Sequence, residues 1–276
     1  MPELPEVETT RRGIEPYLDQ QVLTHVTVRQ AKLRYLIPVE LIEHLIGQRL
    51  VSVKRRAKYL LLKFASLTLI IHLGMSGSLR LVSKEAEWRK HDHWQLEFGL
   101  VCLRYHDPRR FGFLIACECV EDHALIRKLG PEPLTQAFSI DYLTTQLNKR
   151  KTPIKTTLMN NEVVVGIGNI YACESLFLAG IHPLTPCHQL SAVAIAQLHQ
   201  HIQTTLTRAI AQGGSTLRDF LNPDGQPGYF AQTLAVYGRA GETCNRCHTE
   251  IENTKLAGRS SYFCPQCQPL NQGNNR

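Results

Sequence analysis

No stretch of about twenty apolar residues in this 276-residue chain is free of charge, so no membrane-spanning helix is expected. The opening residues, Met1-Pro2-Glu3-Leu4-Pro5-Glu6, lack the basic and apolar regions of a secretory signal, so export through one is not expected. No internal repeat is present. The nine cysteines are an odd number, which excludes complete internal pairing. Five of them, Cys102, Cys117, Cys119, Cys173 and Cys187, are scattered through apolar or loop surroundings. They read as buried small hydrophobes rather than disulfides, and the protein as cytosolic. Hydrophobic residues make up 43% of the chain, too many for wholesale disorder. The length allows one large domain or two to three modest ones.

Acids are in the minority, 24 against 31 Lys and Arg, for a formal charge of +7. Such a basic chain is expected to have an anionic partner, most often nucleic acid. A merely solubilising surplus is the alternative, and distribution separates the two. Lys54, Arg55, Arg56 and Lys58 form one knot. Arg104, Arg109 and Arg110 form a second, and Lys149, Arg150, Lys151 and Lys155 a third. Tyr59 and Phe111 interleave two of them, which favours convergence on a groove over separate solvated faces.

Leu4, Val7, Ile14 and Leu18 lie close to one helical face, so a helix is expected from residue 3 to about 18. From there to about residue 117 short apolar runs and alternating patterns, punctuated by Gly74, Gly77, Gly99 and Pro108, predict a β-sandwich or barrel. The character changes after Leu129-Gly130-Pro131-Glu132-Pro133. Residues 139 to 220 read as helical, with Ser191 capping a long helix that ends at Gly213-Gly214. Gly166-Ile167-Gly168 precedes a helix start at Asn169. It reads as a plain interhelix turn or as a loop presenting backbone amides to an anion. Residues 222–231 read as a linker, and the polar tail from about Pro269 as disordered.

The terminus admits two readings. Proline near a helix start with acids in the first turn is ordinary helix chemistry. Alternatively, removal of Met1 would free the secondary amine of Pro2, whose pKa near ~8 leaves a neutral, nucleophilic fraction. Such an amine forms Schiff bases, and Glu3 and Glu6 stand within a turn of it to carry protons.

Cys244-x2-Cys247 and Cys264-x2-Cys267 are separated by sixteen residues. Two chelating pairs supply four thiolates, a closed tetrahedral shell for one structural Zn²⁺. A segment this short draws its folding energy from the metal. The residues between the pairs suit a β-hairpin with Arg259 near its tip, well placed for phosphate.

Together, Pro2-Glu3-Leu4-Pro5-Glu6-Val7-Glu8, Arg56-Ala57-Lys58-Tyr59-Leu60, His72-Leu73-Gly74-Met75-Ser76-Gly77, Asp107-Pro108-Arg109-Arg110-Phe111-Gly112, Gly166-Ile167-Gly168-Asn169-Ile170-Tyr171, Gly228-Tyr229-Phe230 and the four cysteines resemble bacterial formamidopyrimidine-DNA glycosylases. The resemblance spans nearly the whole chain. It implies an α+β multidomain fold. An N-terminal catalytic β-sandwich with a leading helix would cover 1–133, a helix-two-turn-helix domain 134–225 and a zinc hairpin 226–268, before a tail at 269–276. It implies excision of oxidised purines such as 8-oxoguanine and formamidopyrimidines from duplex DNA, then β,δ-elimination at the abasic site.

The resemblance also assigns roles. Pro2 is the nucleophile and Glu3 the acid/base, with Lys58 and Arg259 binding phosphate and supplying protons. Lys58 as the Schiff-base former is the alternative, ranked below Pro2 because its amine, near pKa ~10.4, needs the larger shift. Met75, Arg110 and Phe111 fill the void left by the extruded base. His91, Arg110, Lys151, Asn169 and Arg259 contact the DNA. Cys244, Cys247, Cys264 and Cys267 hold one zinc. Taken alone, Met75 and Phe111 read as ordinary core residues. Asn160-Asn161 stands where relatives often have Asp-Gln. The partner is damaged duplex DNA, with no membrane partner, and the enzyme a cytoplasmic monomer. The rival readings are an endonuclease VIII-like enzyme for oxidised pyrimidines and a non-catalytic zinc-dependent DNA-binding protein.

Overall fold

The computed structural model describes residues 2–214 and 233–270. Met1, the linker expected at 222–231, the Gly228-Tyr229-Phe230 motif and the tail beyond 270 lie outside the described residues. The chain forms two compact units, Met1–Lys128 with Ala209–Ala231, and Leu129–Arg208 with Gln232–Arg276. No helix among the described residues is long and apolar enough to cross a membrane.

The first unit opens with α1 (Leu4–Leu18), a helix whose N-cap is Glu3 and whose second position is Pro5. Proline costs nothing there, because the first-turn amides have no intrahelical partner. Leu4, Val7, Ile14 and Leu18 are buried, the face the periodicity predicts. Eight strands follow: β1 (Leu23–Val28), β2 (Ser52–Arg56), β3 (Tyr59–Lys63), β4 (Thr68–His72), β5 (Ser78–Val82), β6 (Asp92–Phe98), β7 (Val101–His106) and β8 (Phe113–Cys117), with the short α2 (Val39–Glu43) after β1.

They pair antiparallel in two four-stranded sheets, ordered β1-β6-β7-β5 and β2-β3-β4-β8. One core takes side chains from both sheets: Leu60, Leu62, Leu69 and Ile71 from one, Trp94, Leu96, Leu103 and Tyr105 from the other. Alternation of inward and outward residues along short strands is the signature of such a sandwich, so the expected architecture is present.

The second unit holds α3 (Ile140–Asn148), α4 (Ile154–Leu158), α5 (Asn169–Leu178), α6 (Ala192–Ala211) and a hairpin of β9 (Glu252–Leu256) and β10 (Arg259–Phe263). Ser139 Oγ accepts from the Tyr142 amide at 3.1 Å and Ser191 Oγ from the Ala194 amide at 3.2 Å. Each serine thus caps a helix start, a bond worth about 1 kcal/mol. Ile195, Leu198, Ile202 and Leu206 form the buried face of α6. In the turn before α5 only Gly166 takes the left-handed conformation (φ 81°); Gly168 is extended and caps the helix.

Three side chains depart from the sequence reading. Arg104 does not belong to a surface cluster: it is fully buried. It donates to Gln95 Oε1 at 2.7 Å and to the carbonyls of Glu87 and Ala86. Lys155 is likewise buried, at 1% exposure. Cys119 is exposed, whereas Cys102, Cys173 and Cys187 are buried as expected.

Candidate active site and nucleic-acid interface

Pro2 and Glu3 are both buried. Glu3 caps α1 in a reciprocal box: its side chain accepts from the Glu6 amide, and its own amide donates to Glu6 Oε2 at 2.8 Å. The box fixes the backbone immediately after Pro2, and the helix N-terminus favours both carboxylates. Gly214 packs close on Glu6: a Cβ there would stand 3.0 Å from Glu6 Oε1, and its φ of 83° also favours glycine.

One turn on, Glu8 accepts from Arg11, Arg12 and Arg55. Burial works against its charge, but the bonds from Arg11 and Arg12 hold its carboxyl below the usual range. The Arg55 bond ties α1 to β2.

Lys58 follows Ala57 in the two-residue turn between β2 and β3, where Arg56 pairs with Tyr59. Ala57 carries φ 54°, a conformation costly for a residue with a Cβ. Lys58 is 8% exposed. Register places Tyr59, His72 and Phe113 side by side across β3, β4 and β8. His72 Nδ1 accepts from the Gly74 amide at 2.9 Å. Burial, and then the nearby charge of Lys58, lowers the His72 pKa to about 4. His72 is therefore neutral at physiological pH and helps orient the loop that follows it.

That loop carries Met75, and the loop 107–112 carries Arg110 and Phe111. Met75 is 38% and Phe111 45% exposed, so neither is a core residue. Arg110 is exposed with φ 55°. The two loops interlock: a Cβ on Gly74 would lie 2.3 Å from the Gly112 amide, and one on Gly112 1.8 Å from the Tyr105 hydroxyl.

Asp107, fully buried, knits them together. Its Oδ1 accepts from Ser76 Oγ at 2.7 Å and the Arg109 amide at 3.2 Å. Its Oδ2 accepts from Tyr105 at 3.0 Å and the Gly112 amide at 2.9 Å. The Arg109 guanidinium lies 4.9 Å over the Phe111 ring. His91 reaches the same loop through its carbonyl, which accepts from the Asp107 amide at 3.0 Å.

Beneath, Asp92 accepts from Arg80, from His106 at 2.9 Å and from the Arg89 amide. Burial opposes its charge, but these partners hold its carboxyl far below the usual range. The exposed apolar tips thus stand on a buried polar base built around Asp92 and Asp107.

In the second unit Lys151 is exposed, just before α4. Asn169 is the first residue of α5. Its Nδ2 donates to the Ser260 carbonyl at 2.9 Å, and its Oδ1 accepts from Lys155 Nζ at 2.6 Å. Lys155 donates also to Ser261 Oγ at 2.6 Å and the Ser260 carbonyl at 3.1 Å. Lys155 and Asn169 therefore clamp β10 against α5, while Arg259, the first residue of β10, stays exposed. The turn preceding it is Ala257-Gly258, both with positive φ, the backbone that matches strand twist in a two-residue hairpin. A cavity of about 220 Å³ is lined by Met159, Asn160, Leu256 and Arg259, among others.

The sulfurs of Cys244, Cys247, Cys264 and Cys267 all lie within 4.8 Å of one another, and none forms a disulfide. The Arg246 amide donates to Cys244 Sγ at 3.4 Å and the Cys267 amide to Cys264 Sγ at 3.5 Å. Amides directed at sulfur favour thiolate, and four thiolates suit one Zn²⁺ in a closed structural site. Glu174, buried in α5, secures the approach to this segment. It accepts from the amides of Ala235, Val236 and Tyr237 at 2.8–3.0 Å.

Sequence reasoning passed over Asp107 and Glu174 as supports, and took Lys155 for surface. Asp107 lies inside the motif Asp107-Pro108-Arg109-Arg110-Phe111-Gly112, whereas no motif contains Glu174 or Lys155.

This set of parts defines a class: a β-sandwich, a helical domain and a four-cysteine zinc hairpin. Family models agree segment by segment. Residues 1–114 match the formamidopyrimidine-DNA glycosylase N-terminal domain, 129–221 its H2TH domain, and 241–270 the zinc finger found in FPG and IleRS. The formamidopyrimidine-DNA glycosylase of Hydrogenovibrio crunogenus is 53% identical over 271 residues, 97% of this chain and 96% of that protein.

Two solved structures of the Lactococcus lactis Fpg are 36% identical. One, of a mutant with a Fapy-dG-containing DNA, has TM-score 0.91, covering 98% of this chain and all of the other. The second, with an abasic-site-containing DNA, has TM-score 0.90 over 97% of this chain and all of the other. The chain belongs to the formamidopyrimidine-DNA glycosylase family, and its four-cysteine segment is that family's zinc finger.

Proposed function

We propose that this protein excises oxidised purines from duplex DNA and then cleaves the strand at the abasic site, with Pro2 as nucleophile. The observation that carries the reading is the buried Pro2-Glu3 terminus, held by its capping box, in a chain of this family. Relatives crystallised with Fapy-dG DNA and abasic-site DNA support the substrate and the second step.

An enzyme acting on a base must take it out of the stack. Met75, Phe111 and Arg110 are exposed, on loops too interlocked to give way, and suit the vacated space as wedge, stacking ring and donor to the orphaned base. Once Met1 is removed, the neutral Pro2 nitrogen attacks C1′. The C1′–base bond breaks and the base leaves with its electron pair and a proton. Glu3 protonates the sugar ring oxygen as the ring opens, giving an iminium between Pro2 and C1′.

The iminium acidifies C2′. Loss of that proton expels the 3′ phosphate, and a further proton loss expels the 5′ phosphate. Water then hydrolyses the iminium and frees Pro2. Lys58 and Arg259 bind the departing phosphates, and His91, Lys151 and Asn169 position the backbone. One zinc holds the hairpin that bears Arg259. The same reading makes the enzyme a monomer acting at the cytoplasmic chromosome.

The test is borohydride trapping on duplex containing 8-oxoguanine. The intact chain should be captured covalently, Pro2→Gly should not, and 8-oxoguanine should be released in preference to thymine glycol. Absence of an adduct with active enzyme would sink the Schiff-base step. Contacts to about five phosphates give a log–log salt dependence of affinity near ~ −4 to −5.

A further inference from the structure

Between β1 and α2 the chain makes a small closed loop. Lys32 bridges to Leu36, the Leu33 amide donates to the Tyr35 carbonyl at 3.0 Å, and the Ile37 amide to the Ala31 carbonyl at 2.9 Å. Leu33 and Ile37 are buried and anchor it in the sandwich core. The residues between them point the other way. Leu36 is 70% and Tyr35 41% exposed, and Lys32 and Arg34 are exposed as well. The tip thus presents two adjacent apolar side chains and two cations on one bonded loop.

The tip is fastened to the wedge. The Arg34 amide donates to the Gly112 carbonyl at 3.2 Å, and the Tyr35 ring meets Phe113 edge-on at 5.1 Å. Gly112 and Phe113 directly follow Phe111. The Arg34 guanidinium lies 5.6 Å from the Tyr35 ring centroid. Its charge is felt by Tyr59 and by His72, as that of Lys58 is by His72, so the two cations share one field. Residues 30–37 hold two cations and no acid, which suits a polyanion.

We propose that this tip is a second DNA-contacting element beside the Met75–Phe111 wedge, with Arg34 bound to a backbone phosphate, Lys32 to a neighbouring one and Leu36 against sugar. The inference rests on the glycosylase reading above. Its consequence is mechanical. Because the tip and the wedge loop are hydrogen-bonded to each other, gripping the backbone at Arg34 fixes the depth at which Phe111 enters the stack.

The experiment uses the full-length, zinc-loaded chain and an 8-oxoguanine duplex. Affinity is measured against potassium chloride concentration for wild type, Arg34→Gln, Arg34→Lys and the double variant Lys32→Gln/Arg34→Gln. Arg34→Gln is expected to weaken binding about tenfold and to make the log–log slope shallower by about 0.9, the double variant by about 1.8. Arg34→Lys should retain the wild-type slope. Thermal midpoints should be unchanged, since the side chain is exposed.

A wild-type slope in both glutamine variants overturns the proposal. So does weaker binding at an unchanged slope, which marks a structural role. If wild type itself neither binds nor cleaves the duplex, the glycosylase reading fails first and this inference with it.

Discussion

Asp107→Asn probes the buried base beneath the loops that carry Met75, Arg110 and Phe111. Four donors converge on this buried carboxylate: Ser76 Oγ and the Arg109 amide at Oδ1, Tyr105 and the Gly112 amide at Oδ2. Asparagine is nearly isosteric, but one of its two heads is an NH2. With that head toward Oδ1 it confronts Ser76 and Arg109; turned over, it confronts Tyr105 and Gly112. A hydroxyl can rotate and accept, whereas a backbone amide cannot.

Either orientation therefore sets one backbone amide against a second donor, and of the two only the Arg109 amide keeps another acceptor, Ser76 Oγ at 3.2 Å. The lost bond to a charged acceptor is worth about 1.5–3 kcal/mol, and where the Gly112 amide is the one stranded that adds about 1–3. We expect a local cost of about 3 kcal/mol, a large share of a total stability of roughly 5–15 kcal/mol. Arg110, held at φ 55°, adds to the tendency to leave, because relaxing such a conformation returns about 1 kcal/mol.

Two measurements read this out. Amide hydrogen exchange at Arg109 and Gly112 should accelerate about a hundredfold, the equivalent of that cost at ~1.4 kcal/mol per decade. Single-turnover incision of an 8-oxoguanine duplex should fall at least tenfold, while the zinc content stays at one per chain. Exchange at both amides and incision within twofold of wild type would refute the anchoring argument.

Three further outcomes are expected. The His72 pKa, about 4 in the fold, lies below the value near ~6.5 of the unfolded chain. The unfolded state therefore binds the extra proton, and stability present above pH 6.5 is lost as pH falls toward 4, by up to about 3 kcal/mol. His72→Asn, which keeps an acceptor for the Gly74 amide, should flatten urea stability between pH 4 and 6.5; an unaltered profile would contradict this. Glu174→Gln puts an NH2 among three backbone amides and should cost about 2 kcal/mol, seen as faster exchange at Ala235, Val236 and Tyr237. Unchanged exchange there would show that the carboxylate does not hold the segment. Cys264→Ser, or strong chelation, should remove the zinc and the β9–β10 signals in NMR while the β-sandwich signals persist. A hairpin that survives demetallation would contradict metal-dependent folding.

The sequence by itself determined everything carried by local spacing. The period of Leu4, Val7, Ile14 and Leu18 specifies α1, and Ser191 with Gly213-Gly214 brackets α6, because helix faces and caps are set within a few residues. Alternating strands specify a sandwich or barrel, between which the pairing into two sheets decides, and two Cys-x2-Cys pairs specify a metal site, because chelation by neighbours needs no knowledge of the rest of the fold.

Tertiary structure alone decided which like residues share a fate. Arg104 and Arg110 are six positions apart, yet one is buried under Trp88, its guanidinium 4.2 Å over that ring, and the other stands in solvent. Lys151 stands in solvent while Lys155 clamps the hairpin to α5. Met75 and Phe111 would pass for core on composition, but their loops are pinned outward by Asp107 and by the close fit of Gly74 on Gly112. A charge is buried, or an apolar side chain exposed, only where partners from distant strands converge on it, and no local pattern records that convergence.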